Sequence, residues 1–161
     1  MKTEHVAWGI ARLSLGWIFF WAFWDKLLGL GFSTAPDKAW VLGNSPTYGF
    51  LAFGTTGPFA DIFKAMAGNF YVDILFMSGL LLIGGALILG IGMRIAGYAG
   101  ALLMVFMYLA VLPKEHAVFM DEHIVYAALL ILMAHLKAGQ YYGLGKWWIK
   151  QPFVKQNPFL E

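Results

Sequence analysis

The stretch MDEHIVYAALLILMAHLK (residues 120–137) decides the fold, because it joins a cluster of ionisable side chains to a long apolar run. A helix needs about 20 residues to cross a bilayer, so a spanning helix here must cover 120–139. Its first turn then contains Glu122 and His123, and ionisable side chains at the rim of a membrane are candidates for a functional site. A purely structural role for these ionisable residues also stays open, because Asp121 is a good N-cap and acids in the first turn complement the helix dipole.

The composition shows that the rest of the chain has the same apolar character. Of its 161 residues, 60% are hydrophobic and only 12% are charged, whereas soluble domains carry about 25% charged residues. The first apolar run (6–24) is too long for a signal peptide, and no small-x-small cleavage site follows it. The sequence therefore predicts an all-α integral membrane protein, a four-transmembrane-helix bundle that forms a single domain over residues 1–161. The predicted helices cover 7–30, 72–91, 95–112 and 120–139.

Cysteine usage and net charge exclude several kinds of function. The chain contains no cysteine, so it has no disulfide framework, no thiolate metal site and no cysteine nucleophile or persulfide carrier. Its net charge is only +2, without a run of basic residues, so nucleic acid is not an expected partner. We predict no metal site, and the lipid bilayer is the first expected partner.

The long segment between the first two predicted helices contains a short amphipathic pattern. Phe59, Ile62, Phe63 and Met66 recur at helical spacing within residues 58–67. We expect an interfacial helix in this long first loop, which lies on the membrane and caps the bundle. Elsewhere, small residues spaced four apart predict close helix packing, and the aromatic and basic tail is expected to lie along the membrane surface.

Basic residues are distributed unevenly between the two sides of the predicted bundle. One side has six of them, whereas the other has three with Lys26 at its edge. The positive-inside rule therefore predicts that both termini are cytoplasmic and that the long first loop and the 113–120 connection face outward. The six are Lys2, Arg94, Lys137, Lys146, Lys150 and Lys155, and the three are Lys38, Lys64 and Lys114.

This topology brings polar side chains from all four helices to one depth, which we call the outer rim. A quinone that arrives from the lipid needs hydrogen-bond donors at its two oxygens and a proton donor when it is reduced, and Lys, His, Tyr and protonated Glu can donate. We predict Glu122, His123 and Tyr126 as catalytic residues. The predicted substrate- and quinone-binding residues are Asp25, Lys26, Asp73, Tyr108 and Asp121, with Arg12 deeper in the first helix.

Structural alternatives remain open for several of these residues. Asp25, Lys26 and Asp73 could form an ion-pair network that clasps helix ends, and Arg12 could snorkel to the headgroups. A haem is a further candidate cofactor, because the four histidines form two pairs at roughly common depths. It is disfavoured, since His5 precedes the first helix and His116 lies in a connection, both poor places for a rigid axial ligand.

The order and spacing of several short motifs resemble the DoxX family of membrane proteins. RLSLG (12–16) and WDKLL (24–28) are similar to its first-helix signature. The remaining motifs resemble the DoxD-type branch, and together they cover nearly the whole chain. They are GPFA (57–60), AGN (67–69), DILFMSG (73–79), LGIGMR (89–94), DEHIVY (121–126) and GLGKW (143–147).

The resemblance implies a four-helix membrane subunit of a thiosulfate:quinone oxidoreductase in a bacterial or archaeal cytoplasmic membrane. In such a system thiosulfate is oxidised to tetrathionate, and the electrons pass to a membrane quinone, the expected substrate. Lys26 and Arg12 would then favour the thiosulfate anion. A second redox subunit and a homo-oligomer are further partners left open. Two other functions also stay open: a non-catalytic anchor that docks a redox partner through its long first loop, and a small-solute or anion transporter.

Overall fold

A computed structural model describes residues 3–112 and 120–161, which form helices and turns without any strand. The long helices are α1, α3, α4 and α5, and short helices lie in the loop after α1 and in the tail. Their bounds are α1 (Thr3–Leu28), α2 (Ala60–Ala65), α3 (Phe70–Leu89), α4 (Met93–Ala110), α5 (Glu122–His135), α6 (Gly145–Trp148) and α7 (Pro152–Gln156).

Three of the helices, α1, α3 and α4, are long and apolar enough to cross a membrane. Helix α5 is apolar but has only 14 residues, about 21 Å of helix against a hydrocarbon core of about 30 Å. It begins two residues later and ends four residues earlier than predicted. The early end has a local cause, because Lys137 adopts a left-handed conformation with φ of 51° and a 3₁₀ turn follows at Ala138–Gln140.

Capping residues determine both ends of α3 and the start of α4. The Asn69 side chain accepts a hydrogen bond from the Tyr71 amide at 3.0 Å and starts α3. Gly90, at φ of 74°, ends α3, and Gly92, at φ of 56°, precedes α4. These two left-handed residues make the tight α3–α4 turn, and glycine adopts that conformation at little cost.

The long helices pack chiefly as two pairs, α1 with α3 and α4 with α5. In α4, a Cβ added at Gly97 would lie 2.7 Å from the Leu130 carbonyl oxygen of α5. In α3, a Cβ at Gly84 would lie 2.6 Å from the Phe20 backbone nitrogen of α1. The prediction that small residues let helices approach closely is confirmed at these positions. The two pairs meet less extensively along α3 and α4.

The loop between α1 and α3 folds over the start of α3 and the end of α4. It contains a π-helical turn at Phe50–Gly54, a 3₁₀ turn at Gly57–Phe59 and α2 directly after it. The predicted interfacial helix over 58–67 is thus present as a 3₁₀ turn that continues into α2. The Thr56 amide donates to the Ala110 carbonyl at 2.9 Å, which ties the loop to the end of α4.

Candidate functional site

A cavity of about 660 Å³ lies between α3 and α4, under the loop that precedes α3. Its volume falls within the range of about 300 to 1,000 Å³ that is usual for small-molecule sites. Lys26 and Thr47 are its polar side chains, and the rest of its lining is apolar. That apolar lining is Pro46, Phe50, Leu51, Phe59, Ile62, Phe63, Met66, Val72, Leu75, Phe76, Gly79, Ile83, Ala99, Leu102, Leu103, Phe106, Met107, Leu109 and Ala110.

Small side chains on the two helical walls keep the cavity open. A Cβ added at Gly79 of α3 would meet no atom within 4 Å, and α4 presents Ala99 to the same space. The roof is the amphipathic segment found in the sequence, whose four apolar side chains all line the cavity. Ile62 is 63% exposed although it belongs to this apolar face, so the protein itself leaves the roof uncovered.

The polar end of the cavity has one cation whose charge is not matched by an ion pair. Among the residues that the structure describes, the Lys26 ammonium makes no hydrogen bond and no ion pair within 4 Å. The Thr47 hydroxyl donates to Asp73 Oδ1 at 2.5 Å, and the Ser45 hydroxyl donates to the same oxygen at 2.9 Å. The buried Asp73 therefore holds the loop against the first turn of α3.

Asp25, next to Lys26, is buried and holds the turn that follows α1. Its carboxylate accepts from the Phe32 amide at 3.1 Å, the Ser33 amide at 2.9 Å and the Ser33 hydroxyl at 2.6 Å. The alternative of an ion-pair network among Asp25, Lys26 and Asp73 is not observed in the described part of the chain. Both carboxylates are bound by hydroxyl and backbone donors instead, which orders the loop and leaves the ammonium facing the cavity.

A second polar group lies at the start of α5. Asp121 Oδ1 accepts from the His123 amide at 3.0 Å and from the Ile124 amide at 3.4 Å, so Asp121 is the N-cap that the sequence predicts. Its other oxygen lies 2.7 Å from His123 Nδ1. A carboxylate at Nδ1 fixes that nitrogen as the donor and directs Nε2 outward as an acceptor, the arrangement of an oriented general base.

Glu122 completes this group, with Oε1 3.8 Å from His123 Nδ1 and a side chain that is 61% exposed. The ligand atoms of Asp121, Glu122 and His123 lie within 4.8 Å of one another, close enough to share a cation. Both Asp121 oxygens also make hydrogen bonds, one to the first amides of α5 and the other to the imidazole, so the group orients His123.

The remaining rim residues lie near these two groups without lining the cavity. Tyr126 is half-buried and packs against the hydrophobic core, and Tyr108 is half-buried in the last turns of α4. Glu122, His123 and Tyr126 are not among the described residues of the cavity wall. The structure thus places Lys26 and Thr47 in the cavity lining, with Asp73 bound to Thr47, and it places Asp121, Glu122 and His123 together at the start of α5.

Arg12 lies far from both groups, at the opposite end of α3. Its guanidinium is fully buried and donates to the carbonyl oxygens of Leu87 and Ile88 and, at 3.0 Å, of Tyr142, with a longer contact of 3.3 Å to Tyr141. Asp73 and Leu87 are 14 residues apart on α3, a rise of about 21 Å. The side chain does not snorkel to the surface, and it ties the end of α3 to the tail.

Sequence reasoning missed Thr47 and Gly79. Gly79 differs from Gly84 only in what lies opposite, since a Cβ at Gly79 would meet no atom within 4 Å. Thr47 lies in a loop whose fold cannot be read from periodicity. Three residues named in the sequence analysis, Lys2, Lys114 and His116, lie outside the described residues. Comparison with protein-family models, curated proteins and solved structures finds no match to this chain.

Proposed function

We propose that this chain is a quinone-binding membrane redox subunit, which takes the quinone into the cavity between α3 and α4. The proposal rests on one observation, an apolar cavity of about 660 Å³ with a single ammonium at its polar end. Three helices are long and apolar enough to cross a membrane, which supports access to the cavity by a lipid-soluble molecule. The electrons are proposed to come from thiosulfate or a related sulfur compound, as the resemblance to DoxD-type proteins implies.

The layout of the cavity suits a molecule with a polar ring and an apolar tail. Its wall follows α3 from Val72 to Ile83, about 16 Å along the helix axis. Lys26 and Thr47 lie at the end where α1 finishes and α3 begins, whereas the deeper end is apolar. A quinone would place its ring at the polar end, where the ammonium can donate to a carbonyl oxygen, and its isoprenoid tail along Gly79 and Ile83.

The proposed reaction needs two electrons and two protons for each quinone. Two thiosulfate ions supply the electrons when they join through a new S–S bond as tetrathionate, and the quinone takes up two protons to become the quinol. The chain has no thiol to act as an electron carrier, so the electrons pass directly from the bound donor or through a partner subunit. The Asp121–His123 pair, with Glu122 and Tyr126 on the same helix, is proposed to supply protons at the outer rim.

We further propose that α5 and its flanking residues form a fourth span, and that both termini are cytoplasmic. Six basic residues on the inner side favour this orientation. The cavity roof and His123 then lie at the outer face of a bacterial or archaeal cytoplasmic membrane. Thiosulfate would thus be oxidised outside the cell membrane, beside the quinone site.

A matched pair of glycine variants tests quinone binding. Gly79→Leu fills the cavity from α3, whereas Gly85→Leu adds the same side chain on the same helix outside the lining residues, and a Cβ meets nothing within 4 Å at either position. We expect Gly79→Leu to weaken the binding of a short-chain quinone at least tenfold in equilibrium dialysis, while Gly85→Leu binds like the unmodified protein. Equal binding by both variants would mean that quinone does not occupy this cavity.

Turnover is tested by following short-chain quinone reduction by the purified protein, with and without thiosulfate. We expect thiosulfate-dependent reduction, and a loss of at least about a hundredfold in a Glu122→Gln, His123→Gln double variant, because general acid–base groups contribute about that much or more. Asp61→Asn, an exposed carboxylate of α2, serves as the control.

The main alternative is an anchor subunit that docks a redox partner at the outer end. Large aromatic side chains are exposed there, among them Phe53 at 79% and Tyr71 at 79%. If the folded protein reduces quinone only after a co-expressed partner is added, and the double variant makes no difference, the chain is an anchor and the rim is not catalytic.

A further inference from the structure

We propose that Lys26 makes the cavity selective for quinones whose ring carries negative charge, such as acidic 2-hydroxyquinones, over neutral quinones with the same tail. This inference rests on the proposed function of the cavity as a quinone site. In this proposal, Lys26 contacts the polar ring of the quinone and determines whether a charged or a neutral ring binds more tightly.

The hydrogen bonds around Lys26 leave its ammonium as the charged donor that faces the cavity. The neighbouring Asp25 carboxylate is occupied by the Phe32 and Ser33 donors, on the turn that follows α1. The Thr47 hydroxyl donates its proton to Asp73. The loop thus satisfies both buried carboxylates with its own donors, and neither forms an ion pair within 4 Å of Lys26, although the charge of the adjacent Asp25 still attracts the ammonium.

An ammonium in apolar surroundings interacts strongly with an opposite charge, because few water molecules screen it. Lys26 is half-buried, and the other lining residues apart from Thr47 have no polar side chain. A neutral quinone carbonyl can accept an ordinary hydrogen bond from this ammonium. A deprotonated hydroxyl on the ring forms a charge-assisted bond, which is shorter and stronger. The structure therefore favours an anionic head over a neutral one.

The contact between Lys26 and the quinone ring is also expected to affect the rate of quinone reduction. Negative charge develops on the quinone oxygens as electrons arrive, and the ammonium lies at the end of the cavity where the ring is proposed to bind. An interaction that strengthens as charge develops accelerates the step, whereas one of constant strength does not. Lys26 would thus stabilise the ring more as it accepts electrons than in the resting complex.

Two probes with identical tails test the selectivity without any electron donor. They are a 2-hydroxy-3-alkyl-1,4-naphthoquinone, an anion at neutral pH, and the neutral 2-methyl-3-alkyl-1,4-naphthoquinone. Binding is measured by equilibrium dialysis against the full chain in phosphatidylcholine nanodiscs, after subtraction of uptake by empty nanodiscs. We expect the anionic probe to bind about tenfold more tightly, the order gained from one charge-assisted hydrogen bond. Lys26→Met should abolish the difference, and Lys26→Arg should retain it.

Each outcome separates the inference from the proposed function. Equal affinity of the two probes for the unmodified protein, or a preference that persists in Lys26→Met, would overturn the role of Lys26 while the quinone site stands. Binding of neither probe, or binding that Gly79→Leu does not weaken, would overturn the quinone site itself. A fatty acid with the same tail is the third arm. If it binds in a Lys26-dependent way and the quinones do not, the ammonium selects a lipid carboxylate and the inference is wrong.

Discussion

Helix α3 carries glycines on two faces that are used in opposite ways. On the face toward α1, a Cβ at Gly84 would lie 2.6 Å from the backbone of Phe20, so the two helices are in contact at their main chains. On the face toward α4, a Cβ at Gly79 would meet nothing within 4 Å, and the space opens into the cavity. The face that carries Gly84 packs tightly against α1, and the face that carries Gly79 leaves space for a ligand.

The comparison shows that the same residue type supports packing or binding according to what lies opposite. Apolar helices in lipid gain little from hydrophobic burial against each other, so their contacts depend on close packing and on polar bonds. The α1–α3 interface has both, because Gly84 meets Phe20 and the Arg12 guanidinium binds the end of α3. The α3–α4 interface is held at its ends, by the tight Gly90–Gly92 turn and by the loop that covers the outer end.

The largest effect is expected at the closed interface, from Arg12→Met. The substitution leaves four carbonyl oxygens of the α3 end and the tail without their buried donor. Each unsatisfied buried group costs about 1 to 3 kcal/mol, so we expect a loss of about 3 to 5 kcal/mol in the free energy of unfolding once partial relaxation is allowed for. Unfolding by a denaturing detergent in mixed micelles measures it.

Lys26→Met is the matched control, since it removes the other cation of α1. Lys26 makes no ion pair or hydrogen bond within the described residues, so we expect a change below about 1 kcal/mol. An equal loss of unfolding free energy in Arg12→Met and Lys26→Met would contradict the difference between the contacts of these two side chains.

A smaller change in stability is expected from alanine substitutions at Gly84 and Gly79, which compare the two faces of α3 directly. Gly84→Ala places a methyl group against the Phe20 backbone, which cannot move aside cheaply, and we expect destabilisation by about 1 to 3 kcal/mol. Gly79→Ala meets no atom and should be neutral or stabilising by up to about 1 kcal/mol, since alanine restricts the unfolded chain. Detergent unfolding of both variants provides the comparison, and a stable Gly84→Ala protein would contradict the close approach of α1 and α3.

The sequence predicted the apolar helices well because their signal is composition, which survives any rotation of a helix. It also predicted the Asp121 cap and the apolar pattern of Phe59 and Ile62, both of which depend only on neighbours along the chain. The partners of Arg12 could not be predicted, since they are backbone carbonyls from two distant segments that become accessible only where α3 ends. The grouping of the rim was equally out of reach, because uniformly apolar helices do not reveal which face turns inward.

The residues of the cavity show the same limit of prediction from sequence more clearly. Gly79 and Gly84 are both small residues in one apolar helix, and no local pattern separates the one that opens space from the one that closes it. Lys26 is a predicted binding residue that lines the cavity, and the sequence leaves its role open between anion binding and an ion-pair network. The loop donors that occupy Asp25 and Asp73 explain why no such network forms among the described residues, and these contacts depend on the fold of the whole loop.

The smallest predicted effect lies at the end of α3 opposite the cavity, where acidification should weaken the packing of the tail without affecting the cavity. Lys137 Nζ donates to Glu161 Oε2 at 2.7 Å, and this bond, together with the positive charges of Lys137 and Arg94, lowers the pKa of the Glu161 carboxyl. A carboxyl whose pKa is lower in the folded state stabilises the protein above its ordinary pKa, and this contribution disappears as the pH falls through the lowered value.

We therefore expect Glu161→Gln to remove up to about 1 kcal/mol of stability at neutral pH and to flatten the loss on acidification, because the pair is partly exposed. Unfolding by denaturing detergent across the acidic range measures the difference between the variant and the unmodified protein. Binding of the neutral naphthoquinone should be the same in both, since the cavity opens at the other end of α3. A change in that binding would mean that the two ends of the helix are coupled, and that the closed and open faces of α3 are not independent.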